Sequence, residues 1–198
     1  MLSAQGRRVA RHAETAAGIV AAAWELAEEH GIAGVSVGTI AAAMGMRPQS
    51  LYHYFPAKDA IYDRMYREGF EEYLQRLGRI PESGEPVELL CAVAEDFVDF
   101  AAERPGRYQL LFQRTIPGFT PSPESYGVAL RALDELRRML RRAGISRESD
   151  VDLWRALLLG LAGEQLANDP GGRRWRRLAR RTARFFVGYV KGTKEHGR

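Results

Sequence analysis

The spacing of apolar residues constrains the fold of this chain more than any other feature. Apolar side chains recur at intervals of three and four residues, and no stretch alternates apolar and polar residues over the length of a strand. Such intervals place side chains on one face of a helix, whereas a half-buried strand needs alternation. A first helix is predicted from about residue 11 to residue 30, ended by Gly31, with an apolar face of Ala16, Ile19, Val20, Ala23, Trp24 and Ala27. The sequence therefore predicts an all-α fold.

Short segments rich in glycine and proline divide the helical pattern. The most prominent of them, GRIPESGEP at residues 78–86, follows a helix predicted to continue to about Leu77. We place a domain boundary in the region of residues 68–85, which separates a small amino-terminal module, residues 1–70, from a larger helical part, residues 71–198.

Composition excludes several classes of protein. Cys91 is the only cysteine among the 198 residues, so the chain can form neither an intramolecular disulfide nor a metal site with four thiolates. We expect Cys91 to be a small core residue. No apolar run reaches the ~18–20 residues that span a bilayer, and the amino-terminal sequence lacks the apolar region of a secretion signal. The sequence predicts a cytoplasmic protein with no membrane partner.

The residue types used in catalysis are present but scattered. The histidines show no metal-ligand spacing, no glycine-rich phosphate loop occurs, and the candidate nucleophiles have no evident base beside them. These residues are His12, His30, His53 and His196, with Ser36, Ser50 and Cys91 as candidate nucleophiles. We therefore expect no enzymatic activity, no metal ion and no cofactor.

Two short helices joined by a tight turn form the most informative segment. The second helix is predicted to begin at Ser36, a favourable N-cap, and to run to Gly45. The third is predicted over MRPQSLYHYF, residues 46–55, with Pro48 in its first turn, and Pro56 then separates it from the fourth. This arrangement is typical of a helix-turn-helix unit.

The third helix divides its side chains between two faces. Leu51 and Phe55, four residues apart, share one face, and we expect them to anchor the helix to the first two helices. The opposite face carries Gln49, Tyr52 and His53, together with the hydroxyl of Ser50. Amide, hydroxyl, phenol and imidazole groups can bind base edges and phosphates, which is the chemistry of a recognition helix. The alternative is that the aromatic rings simply cover the core.

The stretch SVGTIAAAMGMRPQSLYHYFPAKDAIYD, residues 36–63, resembles the DNA-binding signature of TetR-type transcriptional repressors, and the resemblance covers about residues 12–72. It implies a DNA-binding domain at residues 1–70 and a regulatory, ligand-binding and dimerisation domain at residues 71–198. It further implies a homodimer that binds palindromic double-stranded operator DNA and is released by a small lipophilic or aromatic inducer. A helical protein-interaction module without DNA binding is the alternative.

The resemblance also implies which residues contact DNA. The matching positions are Thr39, Arg47, Pro48, Gln49, Ser50, Tyr52, His53, Tyr54 and Lys58. Tyr52 and Lys58 are expected to bind phosphates, and Gln49 and His53 to contact bases. Gly38 departs from the pattern, since many relatives have a larger polar or basic residue there. Lys58 as a plain solvated charge, and Tyr54 as a core residue, are the alternatives.

The net charge of +4 is not located in this segment, because residues 1–68 are formally neutral. Arg7, Arg8 and Arg11 precede the predicted first helix, either as a disordered arm on DNA or as a solubilising tail. The excess lies in LRRMLRR, residues 136–142, and above all in RRWRRLARRTAR, residues 173–184. The second of these runs is predicted as an amphipathic helix with a solvated basic side, and a second nucleic-acid site is the alternative. Its apolar side comprises Trp175, Leu178, Thr182, Phe185, Phe186 and Tyr189, and its basic side Arg177, Arg180, Arg181 and Arg184. Glu95, Asp96 and Asp99 are candidate partners for these arginines.

The segment LWRALLLGLAGEQLAN, residues 153–168, is apolar almost all round, which indicates burial on more than one side. Gly160 and Gly163 would admit a second helix, so this helix and the last are predicted to form a four-helix interface with their copies in a homodimer. The segment also resembles the regulatory domain of one TetR subgroup, although Leu159 replaces the histidine of that subgroup.

Aromatic residues of the second half suggest a pocket for the inducer. The predicted ligand-binding residues are Phe97, Phe100, Tyr108, Leu111, Phe112, Tyr126 and Trp154. A mostly apolar cavity with few polar groups is the usual form of a small-molecule site. A ligand there is expected to move the fourth helix. A plain hydrophobic core is the alternative.

Overall fold

The computed structural model describes residues 4–82 and 84–195, and within these residues the fold is all-α, as predicted. The α-helices are α1 (Ala4–His30), α2 (Val37–Ala43), α3 (Pro48–Leu51), α4 (Lys58–Leu77), α5 (Pro86–Glu103), α6 (Pro105–Phe112), α7 (Pro123–Arg142), α8 (Glu148–Asn168) and α9 (Ala179–Glu195). Two short 3-10 helices, Ile32–Gly34 and Arg176–Leu178, precede α2 and α9. None of the described helices has a run long and apolar enough to cross a bilayer.

Local chemistry fixes most of the helix boundaries. Ser36 caps α2, because its side chain accepts a bond of 3.0 Å from the amide of Thr39 while the Thr39 hydroxyl accepts one of 2.9 Å from the amide of Ser36. Gly45, with φ of 61°, makes the turn after α2. Four of the described helices start at a proline, where the missing amide hydrogen costs nothing: Pro48, Pro86, Pro105 and Pro123.

Two helix predictions need correction. The first helix starts at Ala4 rather than near residue 11, so Arg7, Arg8 and Arg11 lie on a helix and not on an arm. The third is a single turn, Pro48–Leu51, followed by turn residues, instead of the predicted helix over residues 46–55. The residue before a proline avoids helical geometry, so Pro56 keeps Phe55 out of the helix, and the turn over residues 52–54 ends the helix earlier still.

The chain forms two compact units that do not follow its order. Residues 4–70 and 106–127 form the first unit, and residues 71–105 and 128–195 the second. The first unit therefore includes α6 and the loop after it, which the predicted 1–70 range leaves out. Its core combines buried residues of α1, the first 3-10 helix, α2, α3 and α4 with Leu110 of α6. The functional division at residue 70 remains a prediction.

A close backbone approach explains why α6 belongs to the first unit. A Cβ at Gly106 would lie 2.4 Å from the carbonyl oxygen of Ala27 in α1, so only glycine fits there. The amide of Gly106 donates to Glu28 at 2.9 Å, and Arg107 donates to the same carboxylate at 2.7 Å. Arg107 also lies over the ring of Trp24, 4.3 Å from its centroid.

The loop after α6 is attached to α4. Asp63 accepts hydrogen bonds from the amide of Ser122 at 2.6 Å, the hydroxyl of Ser122 at 3.0 Å and the hydroxyl of Ser125 at 2.8 Å. The ring of Phe119 packs at 5.7 Å from that of Tyr62. A carboxylate with three donors and an aromatic contact hold this loop in the first unit.

In the second unit, α5 packs against both α8 and α9. Trp154 is fully buried and its ring centroid lies 5.1 Å from that of Phe186. Cys91 is buried, as predicted. The α5 residues at the contact with α9 are acidic as well as apolar. The acidic residues form ion pairs with the arginine run.

The arginine run binds α5, and its predicted faces are partly wrong. Arg176 donates to Asp99 and to Glu95, both at 2.9 Å, so two of the predicted partners are confirmed, whereas Asp96 pairs with Arg76 at 2.7 Å. Arg180 and Arg184, predicted on the solvated side, both bind Glu88. Phe185 is 69% exposed and Tyr189 is 52% exposed. These four mispredicted residues all lie within α9, whose buried face is formed by Ala179, Ala183, Phe186, Val187 and Val190. The apolar residues Phe185 and Tyr189 lie outside this face, and Glu88 of α5 binds the two arginines.

Candidate nucleic-acid interface

The recognition segment, defined here as residues 47–55, is anchored by two side chains. Leu51 is 1% exposed in the core of the first unit, and Phe55 packs against that core, as predicted. The amides of Tyr54 and Phe55 both donate to the carbonyl oxygen of Leu51 at 2.9 Å, which closes the turn after α3. The segment is short but held at both of its apolar positions.

The opposite side of the recognition segment faces solvent. Its exposed residues are Arg47, Pro48, Gln49, Ser50, Tyr52 and His53. The phenol ring of Tyr52 is 54% exposed, although a ring of this size is usually covered. The structure thus brings six of the nine predicted DNA-binding residues onto one accessible surface.

The other three predicted DNA-binding residues are Thr39, Tyr54 and Lys58. Each of them already contacts other groups of the protein. Thr39 is exposed, but its hydroxyl takes part in the cap of α2 and donates to the carbonyl of Gly34 at 2.9 Å. Tyr54 is half-buried. Lys58 begins α4, with its ammonium 4.9 Å from the centroid of the Tyr62 ring. A cation at a helix amino terminus reinforces the attraction of that terminus for an anion.

The packing around Gly38 does not require a glycine at this position. A Cβ at this position would touch nothing closer than the hydroxyl of Ser36, 3.8 Å away. The backbone of α2 is therefore accessible at Gly38. A phosphate could approach this backbone more closely than if a larger side chain stood at the same position.

One residue at this surface was missed by sequence reasoning. His12 of α1 places its Nε2 atom 3.4 Å from the carbonyl oxygen of His53, and its ring centroid lies 4.8 Å from that of Tyr54. The two histidine rings are 6.4 Å apart. No sequence pattern joins residues so far apart along the chain, so this contact could be found only from the folded structure.

The formal neutrality of residues 1–68 does not describe this surface. Several of the acidic residues are engaged away from it: Glu28 binds Arg107, Asp63 binds two serines, and Glu68 binds Arg64 at 2.5 Å. Exposed Arg47 and half-buried Lys58 lie in the recognition segment and just after it. Exposed Asp59 follows Lys58, so the charged side chains of residues 47–59 are Arg47, Lys58 and Asp59, with a formal net charge of +1.

The predicted ligand-binding residues are divided between the two units. Tyr108, Leu111, Phe112 and Tyr126 belong to the first, and Phe97, Phe100 and Trp154 to the second. In the first unit, Phe112 packs at 6.0 Å from Tyr108, while Tyr126 is 51% exposed.

In the second unit, Phe97 and Phe100 surround Tyr73, with centroids at 6.2 and 5.2 Å, and burial raises the pKa of the Tyr73 phenol. Trp154 packs on Phe186 instead, and its indole nitrogen is buried without a hydrogen-bond partner among the described residues. The structure therefore groups Phe97 with Phe100 and places Trp154 in a different contact.

The second unit also contains a charged groove that sequence reasoning missed. Its volume is about 500 Å³, and it lies along α4 and α5 beside the second 3-10 helix. The lining residues are Glu72, Gln75, Arg76, Arg79, Ile80, Pro81, Ala92, Glu95, Asp96, Asp99 and Arg176. Burial raises the pKa of Asp96, although the Arg76 guanidinium opposes the shift. The groove is too polar to match the apolar pocket predicted above.

Comparison with known proteins agrees with this geometry. Residues 19–65 match the family described as bacterial regulatory proteins, tetR family, and residues 90–168 match the tetracycline repressor-like C-terminal domain. The HTH-type transcriptional regulator YobS of Bacillus subtilis is 31% identical over 91 residues, which are 46% of this chain and 48% of that protein. The chain thus spans about half the length of the curated relatives it matches.

Two solved structures illustrate the fold. The TetR family transcriptional regulator PfmR from Thermus thermophilus is 26% identical, with a TM-score of 0.62 over 85% of this chain and 96% of that one. The regulator FadR from Bacillus subtilis, solved with stearoyl-CoA, is 16% identical, with a TM-score of 0.64 over 86% and 97%, and shows the fold alone. Since the family's amino-terminal and carboxy-terminal domains are both matched, on a chain with this fold, the protein belongs to the TetR family of bacterial regulatory proteins.

Proposed function

We propose that this protein is a DNA-binding transcriptional regulator that represses by occupying a palindromic operator. One observation carries the proposal: the recognition segment buries Leu51 and packs partly buried Phe55 against the core, while it exposes Gln49, Tyr52 and His53. Such a segment is short enough to enter a major groove and presents donors and acceptors there. Membership of the family supports the same function.

Within this proposal, the exposed residues have different tasks. Gln49 and His53 contact base edges, because an amide and an imidazole can distinguish donor and acceptor patterns in the major groove. Tyr52, Arg47 and Lys58 bind phosphates and fix the position of the segment on the duplex. Thr39 contributes chiefly through its methyl group and backbone, since its hydroxyl is used in the cap of α2.

We further propose that α8 and α9 form the interface of a homodimer. Leu153 is 38% exposed, and Phe185 and Tyr189 are more exposed still, all in the second unit. A Cβ at Gly160 or Gly188 would meet no atom within 4 Å, which leaves room for a partner helix. Exposed apolar and aromatic side chains beside such room are typical of an interface. A dimer would present two recognition segments to half-sites about 34–36 Å apart.

The ligand response is proposed in a narrower form than the sequence suggested. Tyr73 of α4 packs with Phe97 and Phe100 of α5 in a buried aromatic cluster, and we propose that an apolar ligand inserts beside these rings. Since α4 also begins with Lys58, a ligand that displaces the carboxy-terminal part of α4 would alter a predicted phosphate contact. FadR, which shares the fold, was solved with stearoyl-CoA, so an acyl chain is the first candidate to test.

Selection of bound fragments from a pool of random duplexes tests this function most directly. We expect a palindromic consensus, bound with an affinity that falls steeply as salt rises, because several phosphate contacts release counterions. Recovery of no enriched sequence, or a weak salt dependence, would contradict the proposal and favour a protein-interaction module. Stearoyl-CoA is then titrated against the complex; if acyl chains from short to long never release the DNA, the proposed ligand class is wrong.

A further inference from the structure

The amino-terminal turns of α1 are exposed over residues 7–14, whereas its later turns contribute buried residues from Ile19 onward. The side of α1 that bears Ile19, which is fully buried, faces the core of the first unit. Arg8, Arg11, His12 and Thr15 lie on that same side, since positions separated by three, four and seven residues share a helix face. The face that packs on the core at Ile19 therefore continues as a basic, exposed surface toward the amino end of α1.

His12 joins this surface to the recognition segment. Its Nε2 atom lies 3.4 Å from the carbonyl oxygen of His53, which can only accept, so the contact requires a proton on Nε2. Its ring also packs on Tyr54 at 4.8 Å. His53 and Tyr54 are both residues predicted to contact DNA. The surface of α1 is thus continuous with the proposed DNA interface.

Arg8 and Arg11 are available to bind an anion. Both are exposed, and among the residues that the structure describes neither guanidinium has an ion-pair partner. Arg8 lies one turn before His12, about 6 Å further along the helix axis. Because both arginines belong to a formed helix, they lose less backbone freedom on binding than residues of a disordered arm would.

We propose that α1 is a further part of the DNA interface. Arg8 and Arg11 bind phosphates next to those held by the recognition segment, and His12 is a positioning residue that fixes this segment against α1. The inference rests on the proposed function, because its partner is the same operator duplex.

The test measures salt dependence in the full chain. The double variant Arg8→Ala/Arg11→Ala is compared with Arg131→Ala/Arg141→Ala, which removes the same charge from two exposed positions of α7. The probe is a duplex that the unmodified protein selects from a random pool. We expect the first variant to bind at least about tenfold more weakly and to lower the slope of log affinity against log salt by about 2–4, since each phosphate contact contributes about 0.9 and a dimer loses up to four of them. The second variant keeps the slope of the unmodified protein.

His12 is tested by specificity. His12→Ala is expected to lower the ratio of affinity for the selected duplex over an arbitrary one, whereas His12→Gln, which can still donate to the His53 carbonyl, restores it. If Arg8→Ala/Arg11→Ala keeps the unmodified slope, or His12→Ala keeps the ratio, the inference is wrong while the proposed function stands. If the unmodified protein selects no duplex at all, the proposed function fails and the inference with it.

Discussion

The recognition segment and the arginine run of α9 use polar side chains in opposite ways. The arginine run carries much of the positive charge of the chain, yet Arg176, Arg180 and Arg184 are bound to carboxylates of α5. The recognition segment lies in a region that is formally neutral, yet Gln49 and Tyr52 face solvent. The comparison teaches that the number of charges in a segment is a poor guide to which side chains are free to bind another molecule; what matters is which polar groups already have partners within the protein.

The largest effect is expected from removing the anchor of the recognition segment. Leu51→Ala should lower the free energy of unfolding by about 2–5 kcal/mol, because it removes a fully buried side chain and leaves a cavity. Leu130→Ala is the matched control at an exposed position of α7, where a change of about 0.5 kcal/mol or less is expected. Equal losses in denaturant unfolding for the two variants would show that the segment is not anchored as described.

Removal of an exposed amide should affect binding and leave stability unchanged. Gln49→Ala is expected to cost about 1–3 kcal/mol of binding free energy at one base pair of each half-site. Gln75→Ala, an exposed glutamine of α4 in the second unit, should change neither affinity nor melting temperature. A binding series with single base-pair changes checks this. Uniform weakening across all sequences would assign Gln49 to the phosphates instead.

The opposite pattern is expected in the arginine run. Arg176→Ala should lower the free energy of unfolding by about 1–2 kcal/mol, because part-buried hydrogen bonds to Asp99 and Glu95 are lost. Arg177→Ala removes the neighbouring exposed arginine and should have little effect on stability. Neither variant should alter the salt dependence of DNA binding. A flatter salt slope for Arg177→Ala would place this run in a second DNA contact and break the comparison.

The smallest effect is expected in the dependence of stability on pH. Hydrogen bonds from Arg184, and then from Arg180, hold the pKa of Glu88 below its usual range. The unfolded chain therefore binds a proton more readily, so this interaction stabilises the fold above the ordinary pKa of a glutamate and is lost as pH falls below it. Glu88→Gln should show a shallower loss of melting temperature on acidification than the unmodified protein. If the melting temperatures of the two proteins fall equally with pH, Glu88 does not contribute to the acid sensitivity of the fold.

Local chemistry made much of the fold predictable. The helical periodicity, the cap at Ser36 and the pairing of Leu51 with Phe55 depend on residues close together in sequence, and the structure agrees on each. The exposed side of the recognition segment followed from the same four-residue spacing. The DNA contacts themselves remain predictions.

What could not be predicted depends on residues far apart along the chain. The contact of His12 with His53 spans 41 positions, and Gly106 approaches Ala27 across an even longer stretch of sequence. The faces of α9 were misjudged because the acidic residues of its neighbour α5 determine which arginines are bound, and Arg180 and Arg184 pair there with Glu88. Periodicity reports that a face is buried, but it does not identify the neighbour that buries it.

The contact between Gly106 and Ala27 has a practical consequence. Even the methyl group of alanine at position 106 would force two main chains apart, since its Cβ would lie within 2.9 Å of three backbone atoms of α1. Gly106→Ala would therefore loosen α6 from α1 without changing any residue proposed to touch DNA. A loss of DNA binding in this variant would therefore be due to the displaced helices and not to a missing DNA contact.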